Sequence, residues 1–143
     1  MAKATGEAEL RPAPVVIIAD DDDVLAALIK RKLTGLGFVA HSSRDGNHAL
    51  ELIRDIRPDL AILDVMMPGV DGYQILKAMK ADATTSGIPV IILTSRNTEE
   101  DLVKSFGLGA VDYINKPVSP SELARKVMSH MGMQAIPEPN LEG

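Results

Sequence analysis

Cysteine and tryptophan are absent from the 143 residues, and the aromatics amount to two Phe and two Tyr. Without cysteine there is no disulfide framework, thiol nucleophile, haem-attachment motif or Cys-ligated zinc. Three scattered His do not replace them. Positive charge is also scarce: 15 Lys and Arg against 20 Asp and Glu leave a net charge of −5. Affinity for a phosphate backbone comes from clustered Lys and Arg, so direct binding to nucleic acid or to an anionic membrane is disfavoured. Long hydrophobic runs are missing too. The most apolar stretches, Val15 to Ala19 and Val90 to Leu93, fall far short of the roughly 20 residues that span a bilayer. The first residues carry Glu7, Glu9, Arg11, Pro12 and Pro14 with no apolar central block, which does not read as a secretory signal. A cytoplasmic location is the default expectation.

What is present is a regular alternation. Short apolar runs occur at Val15–Ala19, Phe38–Ala40, Leu60–Leu63, Val90–Leu93 and Val111–Ile114. Between them run segments of helical period: Leu25, Leu28, Ile29, Leu33 and Leu36; Ala49, Leu52, Ile53 and Ile56; Tyr73, Leu76 and Met79; Leu102, Val103 and Phe106; Leu123, Val127 and Met131. Runs too short for helices, each followed by an amphipathic helix, indicate a parallel sheet covered on both faces. The fold class is α/β, a doubly wound five-stranded parallel sheet of (βα)5 type. Ser119-Pro120-Ser121-Glu122 offers an N-cap, a Pro at the first helical position and a capping-box Glu for the last helix. Pro12, Pro14, Pro137 and Pro139 sit near the ends. Residues 1–13 and 135–143 are therefore expected to be flexible tails, the second a tail or a linker start, around one domain at 14–134.

In such a fold the ligand site lies beyond the carboxyl ends of the strands. The first run ends in Asp20-Asp21-Asp22-Asp23, the third in Asp64, the fourth in Thr94-Ser95 and the fifth in Asn115-Lys116-Pro117. Two like charges about 4 Å apart cost about 4 kcal/mol at an effective dielectric of about 20. Asp20, Asp21 and Asp64 thus call either for protonation of some carboxylates or for a counter-charge beyond one Lys; a cation is the more economical reading, and an all-oxygen donor set suits Mg2+. Asp22 or Asp23 is more simply a cap of the first helix. Asp64 stands at the sheet rim, where a carboxylate can attack a phosphoryl group if a cation and donors such as Lys116 and Thr94 stabilise its oxygens.

In order and spacing, IIADDDD, PDLAILDVMMPGVDGY, PVIILTS and GAVDYINKP resemble a response-regulator receiver domain of two-component phosphorelays, over nearly the whole of 14–134. The resemblance implies the flavodoxin-like strand order 2-1-3-4-5. It implies that Asp64 is the phosphoacceptor, and that Asp20, Asp21, Asp64 and the backbone carbonyl of Met66 hold Mg2+. Thr94 and Lys116 would contact the phosphoryl oxygens, Tyr113 would be the aromatic switch, and Lys116-Pro117 would be a cis peptide. Met66 and Arg96 would flank the path of the hydrolytic water and tune the phosphoryl lifetime. The implied role is a signalling switch with weak phosphorylation chemistry of its own rather than a dedicated enzyme. Its partners would be a histidine kinase or phosphotransfer protein and an output partner or domain, with self-pairing on the face around Lys104, Asp112 and Tyr113. No DNA-reading basic helix is legible in these residues.

Two other readings remain open at this point. The run into Asp20-Asp-Asp22 also resembles a haloacid-dehalogenase-type phosphatase, with Asp20 as nucleophile and Asp22 as acid/base. However, that family wants an acidic pair at a later strand end, where this chain has Thr94-Ser95-Arg96. A degenerate receiver that binds partners without accepting phosphate is the third. A flavin site fails, because four Asp would repel the flavin phosphate.

Overall fold

The computed structural model describes residues 13–132. The expected tails, Ala13 aside, lie outside the described residues, as do 133 and 134 of the expected domain.

Five strands, β1 (Val15–Ala19), β2 (Val39–Ser43), β3 (Leu60–Leu63), β4 (Val90–Thr94) and β5 (Asp112–Asn115), alternate with five helices. The helices are α1 (Asp23–Gly35), α2 (Gly46–Ile56), α3 (Gly72–Lys80), α4 (Glu99–Gly107) and α5 (Pro120–His130). All strand pairs are parallel, in the order β2-β1-β3-β4-β5. The three inner strands are apolar except for Thr94 at the end of β4, because both faces are covered. Val16, Ile18, Ile62, Ile91 and Leu93 pack with Ile29 and Leu33 of α1 and with Leu123 and Val127 of α5. Ile17, Ala19, Leu63, Val90 and Ile92 point the other way, to Ala49 and Ile53 of α2 and Ile75, Leu76 and Met79 of α3.

Helix starts follow the expected chemistry. Asp22 caps α1 through Leu25 N, and Ser119 caps α5 with Pro120 at its first turn. The reciprocal capping box expected at α5 through Glu122 occurs instead at α3, where Asp71 and Gln74 each accept the other's backbone N–H.

Three expectations are corrected. β2 runs on to Ser43 rather than ending at Ala40. As an edge strand it tolerates His41 and Ser42, which do not read as an apolar run. Leu28, placed in the buried stripe of α1, is 47 % exposed, and Ala26 takes its place in the core. The largest departure is α4. Its apolar stripe faces out, with Leu102, Val103 and Phe106 at 39 %, 66 % and 47 % exposure, while Asp101 and Ser105 are buried. Helical period reveals that two faces differ but not which one packs inward; here hydrogen bonds to Tyr73 decide it.

Candidate functional site

The parallel ladder continues one residue past the strand ends and places the site. Asp20 N donates to Ser43 O, Asp64 N to Ala19 O, and Lys116 N to Thr94 O. Asp20 and Asp64 therefore stand side by side beyond β1 and β3. Behind Asp64 the chain must turn against α3, and Gly72 makes this possible: a Cβ there would lie 2.3 Å from Asp64 O.

Asp20 and Asp64 are buried, at 2 % and 4 % exposure. One oxygen from each of Asp20, Asp21 and Asp64 lies within 4.8 Å of the others. Lys116 Nζ sits 2.9 Å from Asp20 Oδ2 and 2.9 Å from Asp64 Oδ2. Asp64 Oδ1 accepts from Met66 N at 3.2 Å, and Asp20 Oδ1 from Asp22 N at 2.9 Å. Burial pushes the Asp20 carboxyl above its ordinary range, and neighbouring Asp64 adds to this against the opposing bonds from Asp22 and Lys116. Burial alone would lower the Lys116 pKa, but its bonds to Asp20 and Asp64 and their charges together raise it. The lysine is therefore a fixed ammonium.

The donor set fits a hard divalent cation. Three carboxylates against one ammonium carry a formal charge of −3 + 1 = −2. In addition, Asp20 Oδ2 is fully buried and accepts no well-directed hydrogen bond, only the ion pair. A buried, incompletely satisfied carboxylate oxygen beside two others is a natural ligand for Mg2+.

Around this centre lie the other expected residues. Thr94 is fully buried, and its hydroxyl accepts from Arg96 N at 3.3 Å. The Lys116–Pro117 peptide is cis. Tyr113 is partly buried and donates its hydroxyl to Arg96 O, which also accepts from Asn115 Nδ2 at 3.0 Å. Asp22, the acid of the phosphatase alternative, spends its carboxylate on capping α1.

Residues 16–128 match the family model described as the response regulator receiver domain. The chain belongs to the response-regulator receiver family. It is 37 % identical over 116 residues to the DNA-binding response regulator MtrA of Mycolicibacterium smegmatis, covering 81 % of this chain and 50 % of the relative. The chain thus spans about half the length of the curated relatives it matches. Among solved structures, the receiver domain of Francisella response regulator 1452 superposes with a TM-score of 0.77 at 34 % identity, covering 83 % of this chain and 97 % of that one. A CheY-like receiver domain protein from Methanospirillum hungatei gives a TM-score of 0.79 at 26 % identity, over 85 % and 95 % of the two chains. The receiver has the α/β flavodoxin-like fold of these proteins.

One group of site-adjacent residues was not legible as such. Tyr73 Oη donates to Asp101 at 3.2 Å and accepts from Ser105 Oγ at 3.2 Å, and Asp101 in turn pairs with Arg96 at 3.0 Å. Tyr73 reads as one apolar member of the α3 stripe. The only available signal was that Asp101 and Ser105 share a helix face four residues apart.

Proposed function

We propose that this receiver accepts a phosphoryl group on Asp64 from the phosphohistidine of a partner kinase or phosphotransfer protein, with Mg2+ as cofactor, and loses it slowly by hydrolysis. The observation that carries the reading is the excess of buried negative charge around Lys116: one ammonium serves both Asp20 and Asp64, with Asp21 alongside. When bound, Mg2+ would offset that charge and the developing charge of the phosphoryl oxygens, held by Asp20, Asp21, Asp64 and the Met66 carbonyl. A carboxylate oxygen of Asp64 attacks phosphorus; the phosphorus–nitrogen bond to the donor imidazole breaks and the electron pair leaves with that nitrogen. Lys116 passes from pairing with the free carboxylate to pairing with a phosphoryl oxygen. Thr94 gives up its role as acceptor for Arg96 N and donates its hydroxyl to another phosphoryl oxygen. That rearrangement exists only in the modified protein, so phosphorylation shifts a two-state equilibrium, with Tyr113 as the moving side chain.

The test is peptide mass spectrometry after incubation with a small acyl phosphate, with and without Mg2+, on wild type, Asp64→Asn and Asp20→Asn. A single Mg2+-dependent adduct on the Asp64 peptide is expected, lost in Asp64→Asn. An adduct on Asp20 would favour the phosphatase reading instead. No adduct at all would mark a receiver that only binds partners.

A further inference from the structure

Residues 65–71, which leave β3 carrying Met66, are confined by two helix starts. On one side they meet α3, where Gly72 N donates to Val65 O at 3.1 Å. On the other they rest on the first turn of α2: Gly46 N donates to Pro68 O at 3.1 Å, and Gly46 is buried. A Cβ on Gly46 would stand 2.6 Å from Val70 C and 3.0 Å from Val70 Cα, with Val70 O closer still. All three are backbone atoms, so no change of rotamer could make room. The same turn lies against Gly69, where an added Cβ would meet Asn47 Nδ2 at 3.1 Å and Asp45 Oδ2 at 3.3 Å. Asp45 holds the turn together, accepting from Asn47 N at 2.9 Å and from His48 N at 3.1 Å. Helix α2 otherwise faces the sheet through Ala49 and Ile53, and it contributes nothing to the cluster of Asp20, Asp21 and Asp64.

Such confinement matters most for a backbone ligand. Asp20, Asp21 and Asp64 can each adjust to a cation by rotating a side chain, whereas a carbonyl moves only with its chain. Mg2+ demands near-octahedral geometry at about 2.0–2.1 Å, while Ca2+ accepts irregular geometry at about 2.3–2.6 Å. We infer that Gly46 is a positioning residue: having no side chain, it lets residues 65–71 seat on α2, which fixes the backbone at Met66 and so the geometry that favours Mg2+ over Ca2+. The part concerning the cation rests on the proposed role of the Met66 carbonyl as a ligand. Gly46 itself touches neither cation nor phosphoryl group and acts through Pro68 and Val70.

The test is isothermal titration calorimetry of the full chain with Mg2+ and with Ca2+, alongside 1H–15N spectra that follow the Met66 amide, itself bonded to Asp64 Oδ1. Gly46→Ala is expected to weaken Mg2+ binding about tenfold or more, the usual scale for groups that orient metal ligands, and Ca2+ binding by less than about threefold. Ile53→Ala, which empties part of the core under the same helix, should change neither affinity, because its cost falls on folding alone. Equal losses for the two ions, an unchanged Mg2+ affinity in folded Gly46→Ala, or an equal loss in Ile53→Ala would each overturn the inference. If Gly46→Ala does not fold, a pair of variants at Asp45 decides. Asn caps a helix as well as Asp does, so Asp45→Asn removes only the charge, while Asp45→Ala also frees the turn. Weaker Mg2+ binding in Asp45→Ala than in Asp45→Asn is expected, and equal binding would overturn the inference. Should wild type bind no Mg2+, the cofactor reading fails, and the Met66 amide still judges the seat: a signal unmoved in Gly46→Ala and in Asp45→Ala would overturn it.

Discussion

At Gly72 one methyl group decides whether Asp64 keeps its place. A Cβ would meet Asp64 O at 2.3 Å and Val65 Cα at 3.0 Å, both of them backbone that cannot rotate away. Gly72→Ala is therefore expected to cost about 2–4 kcal/mol, within the range of overpacked or strained sites, measured by urea unfolding. Gly35, the last residue of α1, has nothing within 4 Å of its Cβ direction and no positive φ. Gly35→Ala should be neutral or stabilising by about 0.5 kcal/mol, because the unfolded chain loses freedom and the helix loses nothing. An equal penalty at both positions would remove the close-approach argument for Gly72.

Among the elements, α4 is the one whose orientation is set by polar groups. Its exposed Val103 and Phe106 are expected to tolerate change to Ser within about 0.5 kcal/mol, as surface positions do. Ile53→Ala in α2, fully buried, should cost about 2–5 kcal/mol; thermal unfolding of the three variants compares them. The Thr98 hydroxyl holds the Asp101 carboxyl below its ordinary value of 3.8, Tyr73 and Arg96 lower it further, and burial opposes them. An ionised Asp101 therefore stabilises the folded state at every pH above 3.8, and the contribution is lost as pH falls through the lower folded value. Wild type should lose more melting temperature than Asp101→Asn between about pH 5 and pH 3. Tyr73 and Tyr113, both pushed above the ordinary tyrosine value chiefly by burial, do not titrate in that window.

How much of this could be read from residues alone depends on the range of the interaction. Asp64 was legible because Leu60 to Leu63 form a buried strand and the chain stops immediately afterwards at Met67-Pro68-Gly69. Asp22 and Ser119 were legible as caps because capping is settled within three residues. The bond from Tyr73 to Asp101 was not, since the two stand 28 positions apart and each looks ordinary within its own helix. The inverted face of α4 escaped for the same reason: amphipathicity is a local property, and which side meets the core is not.

For the molecule as a whole, a divalent cation that binds only the folded acidic cluster should raise stability by mass action. At a Mg2+ concentration about 100 times its Kd the gain is about 2.7 kcal/mol, visible as an upward shift in melting temperature. Asp20→Asn, which removes one of the three carboxylates within 4.8 Å of one another, should abolish most of that shift. A shift of equal size in this variant would place the cation elsewhere.

The strand order sets a division of labour. Asp20 and Asp64 follow β1 and β3, each gripped by neighbours on both sides, whereas Tyr113 rides on β5, bonded to β4 alone. A strand at the margin can shift without tearing the ladder on its far side, because there is none. On the proposed switching role of Tyr113, the molecule would be braced on both sides where charge is gathered and on one side only where the response leaves. A signal read at that rim would then leave the acidic centre undisturbed.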